Sequence, residues 1–350
     1  MQAFSVSQMR KHVPLNHDMT NTILKNILSR KISLLFIFIL TISVIGNSQT
    51  LSASEKKNFQ QKEDTLKRLA KNLIIDSIQE GRMRSDSNFV RALIRTLQVK
   101  NSFFYPLDSV KGISKLYSPD SSFRIFTWNL SYDEYYSRQR GAIQIKTKDG
   151  SLKLIPLRDV SEFTADPMDS VRSKANWIGA VYYRIILTKY NNKNFYTLFG
   201  YDANSAMTNK KWIEVMTLND NNEPVFGGKY FSFEQDSVRK PSQFRFNIEY
   251  KKAAATTVNY DDELKLILYD HLISETDEPE KQFTYVPDGD YEGFKWEKGK
   301  WIHINKVFTY KLQDGQAPVG DPILDKDGNR DENKLKEKTD KNKKAGVGNN

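Results

Sequence analysis

The chain contains no cysteine, and this absence excludes several classes of protein. Without thiols it has no disulfides, no thiolate metal site, no cysteine nucleophile and no lipid-modified N-terminal cysteine. A chain of 350 residues without such cross-links needs a large hydrophobic core. The material for that core is aromatic, with 20 Phe, 17 Tyr and 5 Trp.

Histidine is nearly as scarce, since His271 and His303 are the only histidines beyond residue 48. The sequence has no HExxH pair, no G-x-S-x-G elbow, no phosphate-binding loop and no dinucleotide fingerprint. We therefore expect no metal and no cofactor, and a non-enzymatic protein rather than an enzyme. Both histidines are expected to be half-buried strand residues rather than catalytic bases.

The longest apolar run is also short, at 15 residues from Ile32 to Gly46. It follows Arg30-Lys31 and precedes small residues, which predicts a signal peptide over residues 1–48 with cleavage after Ser48. Met19 is an alternative start that gives a leader of ordinary length. The alternative to cleavage is an N-terminal membrane anchor, but the run reaches about 22 Å against about 30 Å of hydrocarbon.

The net charge of +10 is unevenly distributed. Residues 52–112 carry 12 basic and 7 acidic side chains, whereas residues 113–320 carry 28 of each. A neutral body generates no long-range field for phosphate backbones, so we expect no nucleic-acid partner. Membrane contact through the basic segment 52–112 is the remaining electrostatic hypothesis.

Residues 52–112 have a helical pattern. Ser52 and Glu55 have the spacing of a capping box, which predicts a helix over 52–80 that ends at Gly81. Its apolar stripe consists of Leu66, Leu69, Leu73, Ile74 and Ile78. A second helix is predicted from Asp86 to about Lys100, and the two would form a helical hairpin.

From Ser122 the hydrophobic period changes to two. Short strands separated by turns such as Asn191-Asn192-Lys193 predict an antiparallel β-meander. The predicted fold class is mainly β with N-terminal helices (α+β), the meander closing into a sandwich, barrel or small propeller. The predicted segments are a helical hairpin over 49–112, an all-β domain over 113–312, and a disordered polar tail over 313–350. The long apolar stretch from Trp177 to Tyr190 is expected to be a central strand or one curved around a barrel.

Two clusters are candidates for function. Asp288, Asp290 and Glu292 follow Pro287 closely, and such carboxylates suit acid–base work on a glycosidic bond. The alternative is a Pro-Asp-Gly turn between two strands. The nearby aromatic residues Trp296, Trp301 and Tyr291 are candidates for stacking on sugar rings, with core packing as the alternative.

The tripeptide Asp-(Ser/Thr)-aliphatic recurs more often than this composition predicts. Its five copies begin at Asp64, Asp76, Asp108, Asp169 and Asp236. The tripeptide resembles the O-glycosylation sequon of exported Bacteroidota proteins, and this resemblance implies Ser109, Ser170 and Ser237 as candidate modification sites. The alternative is that Asp-Ser pairs simply cap helices and begin turns.

Further features carry the same resemblance. They are the cleavage site followed by Gln49 and the segments Phe195–Asp202, Thr208–Lys211 and Pro287–Gly289. Together with the tripeptides, they make the chain resemble uncharacterised exported proteins of the Bacteroidota. The resemblance covers roughly residues 32–312. It implies a periplasmic, outer-membrane-associated or extracellular location and carries no known activity. The predicted function is an exported envelope or surface protein that binds a protein or glycan partner. The alternative is a secreted hydrolase of polysaccharide or peptidoglycan.

Overall fold

The computed structural model describes residues 51–308 and, beyond them, Lys336. The predicted signal peptide (1–48) and almost all of the predicted tail (313–350) lie outside the described residues. Within the described part, two α-helices come first and antiparallel sheets follow, which confirms the coarse fold class. Neither helix of this part has the combination of length and apolarity that crossing a bilayer requires.

Helix α1 (Ala53–Ile75) begins as the sequence predicts. The side chain of Ser52 accepts from the Glu55 backbone at 3.2 Å, and the Glu55 carboxylate accepts from the Ser52 backbone at 2.8 Å. The predicted end at Gly81 is wrong. The helix ends at Ile75, because Asp76 adopts an extended conformation and its carboxylate accepts from the Ile78 backbone at 3.0 Å.

Helix α2 (Gln79–Leu97) therefore begins before the predicted cap at Asp86, which instead lies inside the helix. Gly81 also lies in this helix, where a Cβ atom would meet the Asp76 carboxylate at 2.1 Å. The Asp86 carboxylate is buried and accepts from Trp128 Nε1 at 2.9 Å. It also lies 2.9 Å from a guanidinium nitrogen of Arg140. Asp86 thus fixes α2 to the first sheet rather than capping it.

The strands of the described part form three sheets. The strands are β1 (Ser114–Tyr117), β2 (Phe123–Ser131), β3 (Ser137–Ile145), β4 (Lys153–Leu157), β5 (Arg172–Ser173), β6 (Val181–Tyr190), β7 (Lys193–Asp202), β8 (Thr208–Leu218), β9 (Pro224–Phe226), β10 (Phe231–Ser232), β11 (Arg245–Lys251), β12 (Val258–Asp261), β13 (Leu266–Ser274), β14 (Tyr285–Glu297) and β15 (Lys300–Ile304).

Sheet A has the order β1-β2-β3-β4. Sheet B has the order β5-β9-β8-β7-β6, with β11 also paired to β8. Sheet C has the order β10-β15-β14-β13-β12, and β10 runs parallel to β15. Within residues 51–308 none of the three sheets closes on itself.

Three apolar cores stack these elements in layers, in the order helices, sheet A, sheet B, sheet C. One core lies between the helices and sheet A, and includes Leu66 and Phe126. A second lies between sheets A and B. The third lies between sheets B and C.

Alternation along β7 explains how one sheet serves two cores. Tyr196 and Leu198 contribute to the core with sheet A, whereas Phe195 and Phe199 contribute to the core with sheet C. Successive side chains of a strand point to opposite faces, so sheet B is buried on both faces.

The expectation of a central strand from Trp177 to Tyr190 is wrong, because the strand begins at Val181 and β6 lies at the edge of sheet B.

Candidate functional site

A cleft of about 530 Å³ lies beside β13 and β14, next to β11 and the segment that follows β10. Its aromatic lining comes from Phe233, Phe246, Tyr269 and Tyr285. Its titratable lining includes Asp236, His271, Glu292 and His303. The cleft therefore brings both histidines of the segment beyond residue 48 to the carboxylates of β14.

A bulge between β13 and β14 shapes this cleft. Asp270 pairs with Tyr291 and Leu272 pairs with Pro287, so the single residue His271 lies opposite three residues of β14. The bulge includes Gly289, whose φ of 95° lies in a region that side chains other than glycine rarely adopt. β-bulges often lie next to functional sites, where they change the direction in which a side chain points. The predicted Pro-Asp-Gly turn is wrong, because the segment lies inside β14 and the hairpin turn comes later, at Lys298-Gly299.

The bulge places the His271 ring between two carboxylates. Its Nδ1 lies 2.8 Å from an oxygen of Asp288, and its Nε2 lies 3.8 Å from Glu292 Oε1. Burial opposes ionisation of Asp288, but the Asp290 backbone N–H and the His271 ring outweigh it and lower the pKa of that carboxyl. In the tautomer whose Nδ1–H donates to Asp288, the lone pair lies on Nε2.

The second histidine is held at both ring nitrogens. His303 Nδ1 lies 2.8 and 2.9 Å from the oxygens of Asp236, and Nε2 lies 2.7 Å from the Tyr269 hydroxyl and 3.2 Å from Glu292 Oε2. Burial disfavours the imidazolium, yet hydrogen bonds to Glu292 and Asp236 raise the pKa of His303. His303 is 5% exposed, so it supports the cleft wall rather than facing a ligand.

Glu292 connects the two histidines. Burial alone would raise the pKa of Glu292, but hydrogen bonds from His303 and Tyr269 lower it, so the carboxylate is ionised at neutral pH. Oε2 accepts from the Tyr269 hydroxyl at 2.6 Å. Oε1 has no hydrogen-bond partner among the described residues and lies beside His271 Nε2. Glu292 Oε1 and His271 Nε2 thus form a pair of hydrogen-bond acceptors at the cleft surface.

The three carboxylates predicted from sequence separate in the structure. Glu292 lines the cleft, and Asp288 orients the His271 ring that also lines it. Asp290 instead lies 2.7 Å from the Lys306 ammonium and is absent from the cleft lining. The bulge is the reason, since it breaks the alternation that would place residues 288, 290 and 292 on one face.

The predicted stacking residues lie elsewhere. Trp301 is 0% exposed and donates to Thr197 Oγ1 at 3.0 Å, so it offers no face to a ligand. Trp296 packs on Trp301 with ring centroids 5.1 Å apart, within the core between sheets B and C. Tyr291 remains partly exposed and packs edge-on against Phe308.

The predicted modification sites differ in accessibility. Ser237 is exposed in the segment that follows β10, and the preceding Asp236 binds His303. Ser170 and Ser109 are half-buried, and the Ser109 backbone donates to Glu63 at 2.7 Å. Glycosylation at these serines stays a prediction.

Sequence reasoning missed Asp236, Tyr269 and the convergence of the two histidines. Part of the signal was present, because Tyr269 and His271 are two residues apart on one strand and share a face. The sequence does not reveal how β13 pairs with β14, because a bulge shifts the register between the two strands.

Among the described residues, no group of three or more His, Cys, Asp or Glu side chains is arranged to hold a metal ion. Comparisons of the chain with protein-family models, with curated proteins and with solved structures found no match.

Proposed function

We propose that this chain is an exported, non-enzymatic protein of the cell envelope that binds a glycan in the cleft, on a β-sandwich scaffold. The observation that carries the proposal is the acceptor pair formed by Glu292 Oε1 and His271 Nε2, 3.8 Å apart. Two neighbouring acceptors suit adjacent hydroxyl groups of a sugar, each donating one hydrogen bond. A carboxylate acceptor makes the stronger of the two bonds.

The rest of the cleft supports a sugar as the ligand. Ring side chains from Phe246 and Tyr285 supply apolar surface beside the acceptors. Gln282, Asn247 and Asn305 supply amides that both donate and accept. The volume lies within the range of about 300–1,000 Å³ that small-ligand sites occupy. A concave site of this size favours a glycan over a protein partner, which needs a broad surface.

The experiment is a glycan array probed with the purified protein, followed by calorimetry on the best ligand. We expect His271→Ala and Glu292→Gln each to weaken binding by about tenfold, since each removes a hydrogen-bond acceptor. His271 is partly exposed, so its replacement tests the site without threatening the core. Asp290→Asn is the matched control, because this carboxylate pairs with Lys306 outside the cleft.

Two outcomes would overturn the glycan proposal. One is an array on which no glycan is retained by the native protein. The other is a bound glycan whose affinity is the same for native protein, His271→Ala and Glu292→Gln.

A hydrolase is the second candidate, favoured by one observation. Asp288 orients His271 so that its Nε2 faces the cleft, which is the arrangement of a general base for a water molecule. The arrangement lacks the partner that glycoside hydrolysis needs, because the pKa values of Asp288 and Glu292 are both lowered rather than raised. Turnover of the bound glycan, lost in Asp288→Asn while binding persists, would replace the binding proposal with this one.

The export proposal rests on the sequence around residues 30–49 and on the resemblance to exported Bacteroidota proteins. N-terminal sequencing of the protein from its native source tests it, with Gln49 as the expected first residue. An intact mass above that of the mature chain would support modification at Ser109, Ser170 or Ser237. A protein recovered from cytosol with its leader intact would refute export.

A further inference from the structure

Three isoleucines are exposed at the turn between α1 and α2. Ile74 is 49% exposed, Ile75 is 62% exposed and Ile78 is 62% exposed. We call these three residues the isoleucine tip. The sequence places Ile74 and Ile78 on the buried stripe of a longer helix, but the early end of α1 at Ile75 leaves them outside the core. Apolar side chains clustered on a surface mark an interaction site.

The turn that carries the isoleucine tip is rigidly held. The guanidinium of Arg82 donates to the carbonyls of Asp76 and Ser77 at 2.8 and 3.1 Å. It also donates to the carbonyls of Ser131 and Tyr132 at 2.9 and 2.7 Å, which fixes the turn to sheet A. The backbone of the turn between Ile75 and Ile78 is therefore held against sheet A.

Basic residues precede the isoleucine tip along α1. Its exposed cationic neighbours on α1 are Lys67, Arg68 and Lys71, and Lys111 adjoins Gly112, which Ile74 covers. Acidic residues also lie near the tip, namely the half-buried Asp76 within the turn and the exposed Glu80 and Asp108. The whole segment 52–112 carries 12 basic and 7 acidic residues, in contrast to the neutral sheets.

We propose that the isoleucine tip docks the protein on an anionic lipid bilayer, inserting its side chains at the headgroup boundary. Apolar side chains displayed beside lysine and arginine match the two attractions of such a surface, which are acyl chains below and negative headgroups above. A protein partner is the less suitable occupant, because three side chains cover far less than the about 1,000 Å² that a specific interface requires.

The absence of cysteine makes a local test possible in the full chain. Ile78→Cys carries an environment-sensitive fluorophore, and Leu264→Cys, 49% exposed at the β12–β13 turn of sheet C, carries the same label as a control. With vesicles of phosphatidylcholine plus phosphatidylglycerol, we expect a blue shift and brighter emission at position 78 only. Pure phosphatidylcholine and high salt should weaken the response.

A charge variant completes the test. Lys71→Gln in the labelled Ile78→Cys protein should weaken vesicle affinity by about fivefold, the effect of one basic residue near an anionic surface. An unshifted label at position 78, or an equal shift at position 264, would overturn the proposal. The fluorophore responds to the surroundings of position 78, so membrane insertion of the apolar run 32–46 would not by itself produce the blue shift. Failure of glycan binding in the cleft would leave this result unaffected.

Discussion

The His303 imidazole and the Asp236 carboxylate form a two-point contact, with Nδ1 lying 2.8 and 2.9 Å from the two carboxylate oxygens. Asp236 lies in the segment after β10, and His303 lies in β15. The contact ties this irregular segment to sheet C at the wall of the cleft. The same ring reaches Glu292 with its other nitrogen, so the geometry of the ligand site depends on a contact behind it.

The first prediction concerns pH. The folded pKa of His303 is raised, so its stabilising contribution is complete below the ordinary value of 6.5 and is lost as pH rises through the folded value. The folded pKa of Glu292 is lowered, so its contribution is present above the ordinary value of 4.5 and is lost as pH falls through the folded value. Stability from this cluster should therefore be greatest between these two ordinary values.

Asp236→Asn tests that window. We expect a loss of about 1–3 kcal/mol in the free energy of unfolding near pH 6, shrinking at alkaline pH where His303 is neutral. Denaturant titrations across the pH range measure it, with Asp290→Asn as the exposed control. A loss that stays constant with pH would contradict the assignment of a charged His303.

The second prediction concerns the ion pair buried between β8 and β11. Arg245 Nε lies 2.7 Å from Glu214 Oε1, with side chains 0% and 4% exposed. Because either single replacement leaves an uncompensated buried charge, Arg245→Met or Glu214→Leu should each cost about 3–5 kcal/mol. The double variant should lose clearly less than the sum of the two. Additive losses in denaturant titrations would show that the two charges are not coupled in the folded protein.

The third prediction concerns Gly289 in the bulge. A Cβ atom at this position would meet nothing within 4 Å, so any effect of Gly289→Ala comes from the positive φ alone. We expect a stability loss of about 1 kcal/mol together with weaker glycan binding, because the bulge sets the position of His271. Calorimetry and denaturant titration of one variant measure both. Unchanged binding despite the loss in stability would separate the bulge from the site.

The fourth prediction concerns the attachment of α2 to sheet A. Asp86→Ala leaves the buried Trp128 Nε1 without its acceptor and Arg140 without its partner. We expect a loss of about 2 kcal/mol, within the cost of an unsatisfied buried donor. Asp64→Ala, on the exposed face of α1, is the matched control and should be neutral. Equal thermal midpoints for the two variants would contradict the role given to Asp86.

Local signals in the sequence predicted the local features of the fold. The capping box of Ser52 and Glu55 fixed the start of α1, because it needs only two residues three positions apart. The pair Asn191-Asn192 predicted the β6–β7 hairpin, and both residues have positive φ, of 47° and 61°. Such features are decided by neighbours along the chain.

Features that depend on distant contacts were not predictable. The aspartates at 76 and 86 have similar capping chemistry, but only the second is drawn into a buried contact with Trp128, 42 positions away. Asp288 and Glu292 were singled out because they are neighbours in sequence. Their partners His271 and His303 lie on β13 and β15, so identifying them requires knowing that both strands pair with β14. The bulge that excludes Asp290 from the cleft has no reliable sequence signal beyond Gly289.

The burial of sheet B on both faces has a consequence for how the β region comes apart. Phe195 and Tyr196 are consecutive residues, yet they anchor opposite cores. Melting of β7 would release both cores at once, so residues 113–308 should lose structure in a single cooperative transition. We therefore expect that residues 113–308 cannot be divided into two halves that fold independently.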